Sequence, residues 1–134
     1  MQKSARHHVR LNASQTFAAD VTCSTNLTVG GFFRCLPTLA APANNSTLTP
    51  ASGHVQLVQT IGPITLNPGV AIADGVGSGA ILVLEGTSDS NTVTVPNAAH
   101  TRLAGGASRT LGAHDLLVLL WNGTDWVELS YSKN

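Results

Sequence analysis

The chain has 134 residues, enough for one domain with an arm, and only 10% of them are Asp, Glu, Lys or Arg. An average soluble domain carries roughly 25%, so this surface is poor in charge, and the formal net charge is zero. That balance excludes a generally basic nucleic-acid binder, and no apolar run reaches the roughly 20 residues of a membrane-spanning helix.

Residues 1–20 read as a basic extended arm. Lys3, Arg6, His7, His8 and Arg10 meet no acidic residue before Asp20. Such a stretch is either a disordered tail or an anchor that lies on an acidic surface; in the second reading Lys3, Arg6 and Arg10 are its expected attachment residues. No apolar stretch follows the basic residues in the manner of a secretory signal. Synthesis in a cytoplasm is therefore expected, and the Asn-x-Ser/Thr triplets at Asn12, Asn26, Asn44, Asn45 and Asn122 carry no glycosylation argument. Under the same expectation Cys23 and Cys35 stay structural. They form no Cys-x-x-Cys and share no zinc spacing with the five histidines, and no cofactor or metal is expected.

Residues 21–36, VTCSTNLTVGGFFRCL, read as two short strands about Gly30-Gly31, being rich in β-branched residues. Residues 37–53 hold Pro37, Pro42 and Pro50 among Asn, Ser and Thr, a density of helix breakers that predicts an extended linker. A boundary is expected there, with an arm and attachment region over 1–52 and a β domain over 53–134.

From His54 the pattern is one of short strands: VQLVQTI, PITL before Pro68-Gly69, AILVLEG, the alternating TVTV closed by Pro96, then TRLAGG, SRTLG, HDLLVLLW and DWVELSY. No window sustains an apolar stripe at helical spacing free of Gly or Pro. The expected fold is all-β: a short-stranded β-sandwich, barrel or β-prism-like domain. GSGAILVLEGTSD and GAHDLLVLLWNGTD hint at a repeated β unit.

The closing hairpin is the sharpest local signal. Asn122-Gly123 suits a two-residue type I′ turn, because both residues accept positive φ. In the outgoing strand Val127, Leu129 and Tyr131 should share one face, and Trp126, Glu128 and Ser130 the other. Asp125 and Glu128 read as facing solvent. The incoming strand, Leu116 to Trp121, is apolar on both faces and needs cover on both; Ala80 to Gly86 makes the same demand. One cover is the chain's own second sheet and the other is neighbouring copies, so a homo-oligomer is expected, with Leu82, Leu84, Leu117, Leu119 and Trp121 as interface residues.

Sites for chemistry are scarce. Ser78 in GVGSGA is neither a nucleophile elbow nor followed by a helix, and the same glycines lack the helix that a phosphate would need. His114-Asp115 reads as a turn with a local hydrogen bond rather than a base and its orienter. The seven carboxylates are scattered singly, whereas glycoside hydrolysis needs a placed pair. No enzyme is expected.

The run SGAILVLEGTSDSNTVTVPNAAHTRLAGGASRTLGAHDLLVLLWNGTDWVELSYS resembles the C-terminal β domains of bacteriophage structural proteins. The shared features are the Thr-Val strand, the Gly-Gly crossing, the LGAHD turn, the apolar strand and the WNGTDWVE hairpin. Such domains occur in tail fibres, head fibres and capsid decoration proteins, commonly as homotrimers. The resemblance implies a virion protein, homotrimeric, with the major capsid protein or another virion protein as partner and neither nucleic acid nor membrane. The leading expectation is a capsid decoration (cement) protein that stabilises the assembled head. One alternative is a short tail or head fibre subunit that binds a host receptor. The other is a carbohydrate-binding β module with Trp126 and Tyr131 as its platform.

Overall fold

A computed structural model of the chain describes residues 26–134, which fall into two units, Met1–Phe33 and Arg34–Asn134. Lys3, Arg6, Arg10 and Cys23 lie outside the described residues. Within the first unit, residues 26–33 are exposed and form no strand or helix, with a bend at Gly30-Gly31. The two strands expected about that bend do not form over residues 26–36; no neighbouring strand offers them a ladder, and β propensity alone does not make one.

The second unit is a β-sandwich. Nine strands run in chain order: β1 (Thr38–Ala40), β2 (His54–Leu57), β3 (Ile64–Thr65), β4 (Ile81–Gly86), β5 (Val93–Val95), β6 (Thr101–Arg102), β7 (Arg109–Leu111), β8 (Leu116–Trp121) and β9 (Trp126–Ser132). There is no α-helix among the described residues; a single 3₁₀ turn spans Ala104–Gly106. The larger sheet has the order β1-β2-β4-β8-β9-β6 and the smaller β3-β5-β7.

From β2 to β8 the chain alternates between the sheets. Each return to a sheet therefore crosses the other layer, which is how a chain of short loops produces parallel pairs. β1 pairs parallel with β2, β2 with β4, β3 with β5 and β6 with β9. The two longest apolar strands, β4 and β8, lie side by side and antiparallel in mid-sheet, with Leu82 opposite Leu119 and Leu84 opposite Leu117.

Those four leucines meet Ile64, Val93, Val95 and Leu111 of the small sheet in one core. Alternation sorts each strand: odd residues of β8 (Leu117, Leu119, Trp121) are buried and even ones half-buried. Burying one leucine is worth about 1.5–3 kcal/mol, so this layer dominates the stability of the unit.

Residues 38–53 are not a linker. β1 adds an edge strand to the large sheet, and Leu48 enters the core beside Ile72. Asn45, Leu48 and Asn67 exchange backbone hydrogen bonds with Thr65, Ala71 and Ser46. The prolines are tolerated because an edge strand leaves one side of its backbone unpaired. The compact unit thus starts at Arg34, not at residue 53.

The hairpin also departs from expectation. Its loop is four residues, because Trp121 pairs with Trp126. Gly123 has φ 101°, while Asn122 keeps negative φ. Asn122 instead uses its side chain: Oδ1 accepts from the backbone N–H of Thr124 (2.9 Å) and of Asp125 (2.8 Å). This is an Asx turn, the competing local chemistry of asparagine. A register shift between Val118 and Leu119 then breaks strict alternation in β9, as a bulge does. Trp126 and Glu128 face inward before it, and Tyr131, opposite Leu117, does so beyond it.

Candidate interaction surface

The five side chains expected at an oligomer interface sit inside this chain's own core. Leu84, Leu117 and Leu119 are 0% exposed, Leu82 is 1% and Trp121 is 5%. The strands do have two apolar faces, but the assignment took the wrong one: the small sheet covers the face that carries these residues.

The opposite face of the large sheet is built by residues of the other parity. Across the strands one row runs Leu39, Gln56, Glu85, Leu116, Ser132; a second runs His54, Val83, Val118, Ser130; a third runs Ile81, Leu120, Val127, Arg102. Leu129 adds to it at the bulge. Leu39 (73%), Leu129 and Ile81 are exposed, and Val83, Leu116, Val118, Leu120 and Val127 are half-buried. Eight aliphatic side chains thus share one outward face. The outer face of the small sheet is unlike it: its central row is Thr65, Thr94 and Thr110, with the last two hydroxyls 2.8 Å apart.

Six polar residues interrupt the aliphatic face, with Ser130, Ser132 and Arg102 toward the β9–β6 side and His54, Gln56 and Glu85 on β2 and β4; the last three satisfy one another. His54 Nε2 lies 2.9 Å from Glu85 Oε2, and Gln56 Nε2 donates to the same oxygen at 3.1 Å. The Gln56 hydrogen bond, aided by His54, outweighs partial burial and holds the Glu85 carboxyl below the ordinary glutamate range. Neighbouring strands supply these three residues in register, His54 and Gln56 on β2 and Glu85 on β4.

Other polar residues are structural. Glu128, expected in solvent, is inside: Arg109 donates to it from Nε (3.0 Å) and Nη2 (3.1 Å), and Ala104 N–H donates at 2.9 Å. The Arg109 guanidinium also stacks over the Tyr131 ring at 5.2 Å, so this pair ties β7 of one sheet to β9 of the other. Asp115 is buried and accepts from the N–H groups of Gly112 and Asn134, while His114 takes φ 65° in the preceding turn. The turn reading of His114-Asp115 fits these contacts.

A shallow cleft of about 210 Å³ is lined by residues 50–53, 74–76, 80–82 and Trp126. Asp74 and His100, paired at 2.7 Å, stand in solvent. Trp126 is 4% exposed and donates from Nε1 to Ala73 O; Trp121 packs against it at 5.4 Å. Tyr131 is half-buried with its hydroxyl donated to Thr110 O. The rings expected to form a sugar platform are therefore committed to the fold. Among the described residues there is no cluster of three or more His, Cys, Asp or Glu able to hold a metal, and no helix is long and apolar enough to cross a membrane. Cys35 is exposed.

The second unit is thus a two-layer sandwich of short strands with one aliphatic face turned outward. Residues 40–127, about two thirds of the chain, match the family model of the phage depolymerase C-terminal beta sandwich domain. The chain belongs to that family, a structural domain of bacteriophage proteins and so of the virion. No curated protein and no solved structure matches the chain.

Proposed function

We propose that this chain is a subunit of a phage tail or fibre-type structure, held as a homotrimer, that serves host attachment without catalysing a reaction itself. The observation that carries the reading is the family match over residues 40–127. The matched family is that of a phage depolymerase C-terminal domain, which we read as part of a tail or fibre-type structure rather than of the head shell. The match therefore favours a fibre over the capsid-decoration role expected first. The aliphatic outer face supports association with copies, since charge is depleted where interfaces are buried. The basic arm, through Lys3, Arg6 and Arg10, is proposed to hold the rest of the particle.

Antibody against the β-sandwich, imaged on intact particles by electron microscopy, tests the assignment. Label on the tail or its fibres is expected. Label distributed over the head shell would overturn it in favour of decoration.

A further inference from the structure

Two apolar surfaces lack cover. One is the outer face of the six-stranded sheet. The other is the segment Leu27–Leu36, which forms no strand and carries Leu27, Val29, Phe32, Phe33 and Leu36 all exposed, Phe32 completely. Isolated exposed leucines are ordinary; a contiguous aliphatic face and an adjacent-in-sequence pair of bare phenylalanines are not.

We infer that copies meet on the outer face of the large sheet and that the Leu27–Leu36 segment of one copy lies across that face of the next. The inference rests on the homo-oligomer reading above and names its surface.

Reach permits it. Ten extended residues span up to about 33 Å, and six strands at about 4.8 Å spacing make a face about 24 Å wide between its outer strands. Area favours it. A face that wide and about 17 Å long offers roughly 400 Å², short of the roughly 800 Å² per partner of a stable complex. Phe32 and Phe33 together add roughly 300 Å² or more, and three further aliphatic chains add to that. Face and segment together thus reach what either alone does not.

Polarity allows it as well. Burial penalises unpaired polar groups, but the His54–Gln56–Glu85 cluster is already internally hydrogen-bonded. Arg102, at the far edge, pairs with Asp125 at 3.3 Å. The threonine-lined outer face of the small sheet offers no comparable apolar surface, so the two sides of the sandwich are chemically distinct.

The test combines mass and cross-linking on the full chain. Light scattering is applied to the wild type, to Ile81→Glu with Leu129→Glu, and to Phe32→Ser with Phe33→Ser. All four positions are exposed, so the fold, read by circular dichroism, should persist. Both double variants are expected to fall about threefold in mass. In parallel, a photo-crosslinking phenylalanine at position 33 is activated in a mixture of isotopically heavy and light copies. Heavy–light peptides joining it to β4, β8 or β9 are expected. Variants that keep the wild-type oligomeric mass overturn the surface while leaving the oligomer intact. Cross-links confined to one isotope show a segment covering its own sheet and overturn the exchange. A monomeric wild type removes the underlying reading instead.

Discussion

At the scale of single residues, close approach is the strictest constraint. A Cβ on Gly75 would lie 2.4 Å from Trp121 Cγ, where no rotamer of a core tryptophan gives way cheaply. Gly75→Ala is expected to cost about 1–3 kcal/mol, the usual range for overpacking, read as a lower midpoint in urea followed by tryptophan fluorescence. The Arg109–Glu128 pair is mostly desolvated and strands a charge if broken. Glu128→Ala should destabilise by about 3 kcal/mol, and adding Arg109→Met should recover part of that in a double-mutant cycle. Glu85 makes a pH prediction. Its folded pKa is depressed, so its contribution is present above about pH 4.3 and is lost as pH falls through the lower folded value. Glu85→Gln should lower the melting temperature at neutral pH, where that contribution is complete, and flatten its fall below about pH 4.3; an unchanged acid limb would contradict the assigned hydrogen bonds.

At the scale of elements, the strands from His54 onward were legible because period-two patterns and Gly, Pro and Asn punctuation agree there. β4, β5, β7, β8 and β9 coincide with the expected strands. The parity of β8 was not legible. Leu116 to Leu120 is apolar at every position, so sequence alone cannot say which leucines face the small sheet; only the partner layer decides. Nor could spacing show the register shift at Val118/Leu119 or the edge strand Thr38–Ala40 between two prolines, both set by neighbours distant in sequence. Glu128 read as solvent-facing because its partner, Arg109, lies 19 positions away. The parity assignment can be checked directly. Leu117→Ala should cost about 2–5 kcal/mol, as deletions in a packed core do, whereas Leu120→Ala in a dilute, dissociated sample should cost far less. Equal losses at the two positions would contradict the two-layer arrangement.

At the scale of the whole molecule, the proposed second cover lies on the other side of the sheet from the one expected. Leu82, Leu84, Leu117 and Leu119 find theirs within the chain. Leu39, Ile81, Val83, Leu116, Val118, Leu120, Val127 and Leu129 have no strand of the described residues over them. This asymmetry, a threonine row outside one sheet and aliphatic rows outside the other, fits a phage structural domain that works in assemblies. The proposed association accordingly lies on the outer face of the large sheet.

The mass of the purified 134-residue chain in solution, measured by sedimentation equilibrium at micromolar concentration, is the decisive quantity. Three copies are expected, with the outer sheet face protected from hydrogen exchange and surface labelling. A folded single copy at that concentration, with Val118 and Leu120 open to solvent, would contradict it.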